Sequence, residues 1–143
     1  MGAYVADAII KKLIVTGKCV KNSKVAILGL TFKENCPDTR NSKVEDIIHR
    51  LHEYEISPIV VDGWADKKDA EKEYDIELTE INELKDMDCL VFAVAHDMFK
   101  KLSWEEIDSF YKEMSNSEKI LIDVKGIFNT KELEARNYTY WRL

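Results

Sequence analysis

Lys24-Val25-Ala26-Ile27-Leu28-Gly29-Leu30 runs straight into Thr31-Phe32-Lys33-Glu34-Asn35-Cys36-Pro37-Asp38-Thr39-Arg40-Asn41. The first segment is short and apolar, with β-branched Val25 and Ile27, and reads as a buried parallel strand. In open α/β sheets small molecules bind in the crevice beyond the carboxyl ends of the strands. The loop from Thr31 to Asn41 therefore sits where such proteins keep their ligands, and Phe32, Lys33, Asp38 and Arg40 are its first candidates.

Working outward, Val5, Ile9 and Leu13 recur at helical spacing until Thr16-Gly17, where glycine supplies a stop. Downstream of the loop, Val44, Ile47, Ile48 and Leu51 mark a helix, and Ser42 with Glu45 has capping-box spacing. Ile59-Val60-Val61-Asp62 follows as a second strand, with Pro58 before it and the turn pair Asp62-Gly63. The charged stretch from Asp66 to Asp75 reads as a solvated helical face without a function. Ile81, Leu84 and Met87 suggest a short helix. Cys89 to Ala95 is apolar on both faces and so central. Ser103 with Glu106 caps a further helix, Ile120 to Val124 is a fourth strand, and Asn129 with Glu132 opens a last helix before an edge strand, Tyr138-Thr139-Tyr140-Trp141. This alternation predicts an α/β fold: a three-layer α/β/α domain with a parallel, Rossmann-like sheet of about five strands, preceded by an N-terminal helix.

The 143 residues suit one domain, and 45% apolar content can build a core that folds alone. A net charge of -6 argues against nucleic acid as a partner, which needs a basic face. No apolar stretch is long enough to span a membrane and no signal-peptide pattern opens the chain, so a cytoplasmic protein without a membrane partner is expected. Cys19, Cys36 and Cys89 are odd in number and widely spaced, which fits reduced thiols.

If the sheet is parallel, the loop after strand one, His96-Asp97 after strand three and Lys125-Gly126 after strand four share one edge. Lys33 and Lys125 there suit a diphosphate as point charges, Phe32 a sugar or base, and Arg40 a further anionic or polar group. Spacing equally allows Lys33 and Arg40 to pair with Glu34 and Asp38 inside the loop. Gly29 stands without a Gly-x-Gly-x-x-Gly pattern, so this is not a primary dinucleotide cradle. Cys36 has no recognisable base beside it. His49 and His52 share a helix face, but nothing completes a metal site, and none is assigned. His96 is read as a helix-capping or turn residue beside Asp97 ahead of a ligand contact.

The run from Gly29 to Val44 closely resembles the signature loop of the UDP-glucose/GDP-mannose dehydrogenase family, in its C-terminal domain. Ala93-Val94-Ala95-His96, Ile122-Asp123-Val124-Lys125-Gly126 and Tyr138-Thr139-Tyr140-Trp141 extend the likeness over Lys24 to Leu143, and the first residues resemble the end of the family's central segment. The resemblance implies residues 1–22 as the end of a connecting helix and linker, and residues 23–143 as a UDP-sugar-binding C-terminal domain. It implies an NAD-dependent enzyme that oxidises the C6 alcohol of a nucleotide sugar to a carboxylate through a cysteine adduct. NAD is then held mainly by an N-terminal domain, and the full-length protein is a homodimer or higher oligomer.

No catalytic residue is expected in this stretch, because the family's Gly-Gly-x-Cys-x-Pro context is missing, and Cys36 lies in the wrong motif. Residue by residue, the resemblance makes Phe32 and Lys33 substrate contacts and Arg40 a contact to NAD. Lys125 stands where the glucose-oxidising branch commonly has arginine, and is carried over as a substrate contact without the bidentate fork. The combination of Phe32-Lys33-Glu34-Asn35-Cys36-Pro37-Asp38 with Asp123-Val124-Lys125 resembles the branch that oxidises UDP-N-acetylhexosamines for surface polysaccharides, rather than UDP-glucose. Two competing readings are a stand-alone nucleotide-binding or regulatory module, and a structural domain whose Lys33 and Arg40 are salt-bridged.

Overall fold

A computed structural model of the chain describes residues 2–31, 33–40 and 42–143. Its order is α1 (Gly2–Val15), β1 (Val25–Leu28), α2 (Val44–Glu53), β2 (Ile59–Val61), α3 (Lys67–Tyr74), β3 (Cys89–Phe92), α4 (Asp97–Lys100), α5 (Trp104–Phe110), β4 (Ile120–Asp123), α6 (Thr130–Ala135) and β5 (Thr139–Arg142). The five strands form one parallel sheet in the order β2-β1-β3-β4-β5, so β3 is central and β5 an edge, as the sequence predicts. The strands are shorter than the apolar runs: Gly29 N–H and Ala93 N–H still donate to Val61 and Leu28 carbonyls, at 2.8 and 2.9 Å, but Gly29, Leu30 and Ala93 to Ala95 lead into the loops at the carboxyl edge.

Alternate side chains of each strand supply two cores, because successive residues point to opposite faces. Ile27, Val91 and Ile122 face one layer with Ile9, Ile47 and Ala70 from α1, α2 and α3. Leu28, Leu90 and Leu121 face the other with Phe99, Ile107 and Leu133 from α4, α5 and α6. Two faces covered by helices oblige β1, β3 and β4 to be apolar throughout, and every residue of those strands except Asp123 is. Among the described residues, no helix is long and apolar enough to cross a membrane.

Helix starts match the spacing unevenly. Ser103 and Glu106 form the reciprocal capping box of α5, and the Asn129 side chain accepts from Lys131 N–H at α6. Ser42 and Glu45 do not form one. The N-cap of α2 is Lys43, and Ser42 Oγ accepts from Val44 N–H at 3.2 Å in a local turn, while Glu45 lies 3.7 Å from His49. The segment around Ile81 is only a short 3-10 turn, Ile81–Glu83.

Candidate functional site

In this strand order the chain winds outward from β1 to β2, then crosses back to β3 on the other side of β1. Loops leaving β1 and β3 consequently diverge, which opens a crevice at their carboxyl ends. Thr31, Val94, Val124 and Lys125 line a cleft there, together with Lys43 and Ile47 from the start of α2. Gly29 keeps β1 close to β3: its φ is +112°, and a Cβ on it would lie 2.6 Å from Val94 Cβ.

A buried polar hub holds the first half of the loop. The Asp62 side chain and His96 are closed to solvent. Asp62 Oδ2 accepts from Leu30 N–H at 2.7 Å, from Thr31 N–H at 3.0 Å and from the His96 ring at 3.0 Å. Its Oδ1 accepts from Trp64 and Ala65 N–H, closing the turn after β2. Burial pushes the Asp62 carboxyl up, but the hydrogen bonds from His96, Leu30 and Thr31 outweigh it and hold it down at about 2. On the far side of the ring, Asn35 N–H donates to His96 Nδ1 at 2.9 Å.

The second half is held by α3. Tyr74 donates its hydroxyl to Thr39 C=O and accepts from Ser42 N–H at 3.3 Å, and Thr39 donates to Glu73 Oε2 at 3.0 Å. The charged segment read as functionless thus clamps the loop. Arg40 grips Asp38 with Nε and Nη2 at 3.0 and 3.1 Å, and these hydrogen bonds keep Asp38 below the usual carboxylate range.

Beyond β4, the buried Asp123 carboxylate accepts from Ile127 and Phe128 N–H at 3.0 and 2.9 Å. Those bonds close the turn that presents Lys125 and takes Gly126 through a φ of +70°.

The predicted site residues fall in different places. Lys125 lines the cleft, and so does Lys43, which the sequence reading left unassigned. Lys33 is exposed on the loop, outside the cleft walls, and forms no ion pair among the described residues. Arg40 is exposed as well, but paired within its loop, as one of the two readings allowed. Phe32 lies outside the described residues. His96 does occupy the N-cap position of α4, yet its side chain does not cap; Asn35 Oδ1 accepts the Asp97 N–H instead, at 3.0 Å. The signal for Asp62 and Asp123 was a carboxylate ending an apolar strand, a place where a buried charge needs several donors.

Leu30 and Thr31 N–H, the groups that a dinucleotide cradle would turn toward phosphate, are occupied by Asp62. Among the described residues no group of three or more His, Cys, Asp or Glu side chains stands ready for a metal.

Residues 26–130 match the model of the UDP-glucose/GDP-mannose dehydrogenase family, UDP binding domain. The chain belongs to this family. It is 41% identical over its whole length to protein CapL of Staphylococcus aureus, covering 32% of that protein. It is also 36% identical over 95% of its length to the UDP-N-acetyl-D-glucosamine 6-dehydrogenase of Salmonella typhi, covering 31% of it. The chain thus spans about a third of these relatives. Its fold is that of the NDP-N-acetyl-D-galactosaminuronic acid dehydrogenase from Methanosarcina mazei Go1, with a TM-score of 0.84 at 19% identity over 99% of this chain and 28% of that one. In this chain the β1/β3 crevice carries the loop, the Asp62–His96 hub and the two lysines that line the cleft.

Proposed function

We propose that this chain is the nucleotide-sugar-binding part of an NAD-dependent UDP-sugar 6-dehydrogenase, which oxidises the C6 alcohol of a UDP-N-acetylhexosamine to a carboxylate for surface polysaccharide synthesis. The observation that carries this reading is the cleft at the β1/β3 switch, lined by Lys125 and Lys43 on a chain matching a UDP binding domain. The substrate class follows the relative in Salmonella typhi, whose name is a UDP-N-acetyl-D-glucosamine 6-dehydrogenase.

In this reading residues 1–22 are the end of a connecting helix and linker, and residues 23–143 the UDP-sugar-binding domain. Lys125 and Lys43 supply point charges to the diphosphate, and Phe32 and Lys33 contact the nucleotide sugar from the loop. Arg40 reaches NAD, which is held mainly by residues outside this chain, so the 143 residues bind but do not turn over. The whole enzyme works in the cytoplasm as a homodimer or higher oligomer.

Titrating the chain with UDP, a UDP-sugar and NAD while recording amide NMR shifts tests the site. UDP is expected to shift Phe32, Lys33, Lys43 and Lys125, and NAD alone to shift little. Silence at all four with UDP would refute the assignment. In the full-length enzyme, Lys33→Ala is expected to lower turnover of the UDP-sugar, and unchanged kinetics would remove Lys33 from the substrate contacts.

A further inference from the structure

We propose that His96, in its neutral Nε2–H form, is the positioning residue of the nucleotide-sugar loop, setting where Lys33 projects; the proposal rests on that loop being a UDP-sugar contact. The hydrogen-bond partners admit one proton arrangement. A backbone N–H can only donate, so Asn35 requires a lone pair on His96 Nδ1, 2.9 Å away. An ionised carboxylate can only accept, so Asp62 Oδ2, 3.0 Å from Nε2, requires the proton there. Thr31 Oγ1 lies 3.2 Å from the same Nε2 and gives its own hydrogen to Lys33 C=O at 3.0 Å, which leaves it an acceptor toward the ring. An imidazolium would set an Nδ1–H against the Asn35 N–H.

Apart from the His96–Asp62 bond itself, these contacts fall on the segment that brackets Lys33. Thr31 is fastened before it by Asp62 and His96, Asn35 is fastened after it by His96, and the Lys33 carbonyl is tied to Thr31 between them. Asn35 has a left-handed φ of +54°, where the chain turns back, and its side chain binds Asp97 N–H, so the turn is locked to the start of α4. The ring is fully buried, packed on Phe99 with centroids 5.4 Å apart and facing Trp64 at 6.4 Å, so its plane is set by the core. Lys33 keeps an exposed side chain on a backbone held on both sides. That arrangement suits a cation which must wait in place for a diphosphate, since ordering it beforehand removes part of the entropy cost of binding.

His96→Asn and His96→Gln divide the two functions of the ring. The asparagine amide oxygen falls near Nδ1 and can accept from Asn35 N–H, whereas the glutamine amide nitrogen falls near Nε2 and can donate to Asp62 but offers Asn35 nothing. The experiment follows Asn35 amide exchange, the His96 ring nitrogen shifts and UDP affinity in the 143-residue chain. In the wild type, Nδ1 is expected to show the shift of an unprotonated nitrogen and Asn35 to be protected. His96→Gln is expected to lose that protection and weaken UDP binding roughly tenfold, with His96→Asn recovering most of both. Affinity within twofold of wild type in His96→Gln, or a wild-type Nδ1 that carries the proton, would overturn the proposal. Absence of UDP binding in the wild type, with Asn35 protection lost only in His96→Gln, would overturn the nucleotide reading while upholding His96 as the loop's anchor. Equal Asn35 exchange in all three proteins would overturn the anchor itself.

Discussion

Arg40 holds Asp38 through two parallel hydrogen bonds, Nε to Oδ1 at 3.0 Å and Nη2 to Oδ2 at 3.1 Å, in an open stretch of the loop. Solvent screens such a pair, so it organises the loop tip more than it stabilises the fold. Arg40→Ala is expected to leave the urea midpoint of the chain unchanged and, in the full-length enzyme, to raise the KM for NAD while leaving UDP binding intact. A lowered midpoint would show that Arg40 is structural; an unchanged KM for NAD would remove it from the cofactor.

Asp62 makes stability depend on acid. Its carboxyl is held at about 2 in the fold against an ordinary value of 3.8. A depressed folded value means that the unfolded chain binds the proton first as pH falls. The stabilisation is therefore present in full above pH 4 and lost as pH drops through 4 toward 2. It amounts to roughly 2 kcal/mol. Urea titrations across that range should show Asp62→Asn less stable than wild type at pH 7, with the gap narrowing toward pH 2. A constant gap would contradict the hydrogen-bonded carboxylate.

At Gly29 the backbone lies at φ +112°, and a Cβ would sit 2.6 Å from Val94 Cβ and 2.8 Å from Val94 N. Gly17 also has a positive φ, +76°, but nothing lies within 4 Å of its hypothetical Cβ. Gly29→Ala should therefore cost about 3 kcal/mol, combining backbone strain with overpacking. Gly17→Ala should cost about 1 kcal/mol. Thermal or urea unfolding of the two variants checks the ratio.

The three thiols should separate by burial. Cys19 is exposed and Cys36 partly so, whereas Cys89 is buried in β3 and desolvation pushes its thiol far up. An aromatic disulfide reagent is expected to modify Cys19 and Cys36 in the folded chain and Cys89 only after denaturation. Rapid loss of all three thiols in the folded state would show that the core opens.

Local pattern was enough for most of the elements. Apolar runs such as Cys89 to Phe92 and Ile120 to Ile122 are legible as strands because both faces of a parallel sheet must be buried, and Ser103 with Glu106 caps α5 as spaced. Ser42 with Glu45 has the same spacing and does not cap, since Lys43 takes the N-cap position and Ser42 turns back onto Val44 N–H. The loop's address at the carboxyl edge was legible for a similar reason: it follows directly on a strand, and covalent connection puts it there. The charged face of α3 gave no warning that Tyr74 would reach Thr39, because the contact joins residues far apart in the chain.

By itself, then, the order of residues determined the alternation of strands and helices, the parallel sheet and the family likeness, all of which depend on neighbours within one element or one loop. Only the tertiary structure decided which charges meet. It put Lys43 rather than Lys33 in the walls of the cleft that Lys125 lines, and turned His96 inward to Asp62 and Asn35, partners 34 and 61 residues away. The physical reason is that strand order places these loops side by side. The crossing of the chain between β2 and β3 is set by how both faces of the sheet are covered, a property of the whole domain that no local stretch of sequence carries.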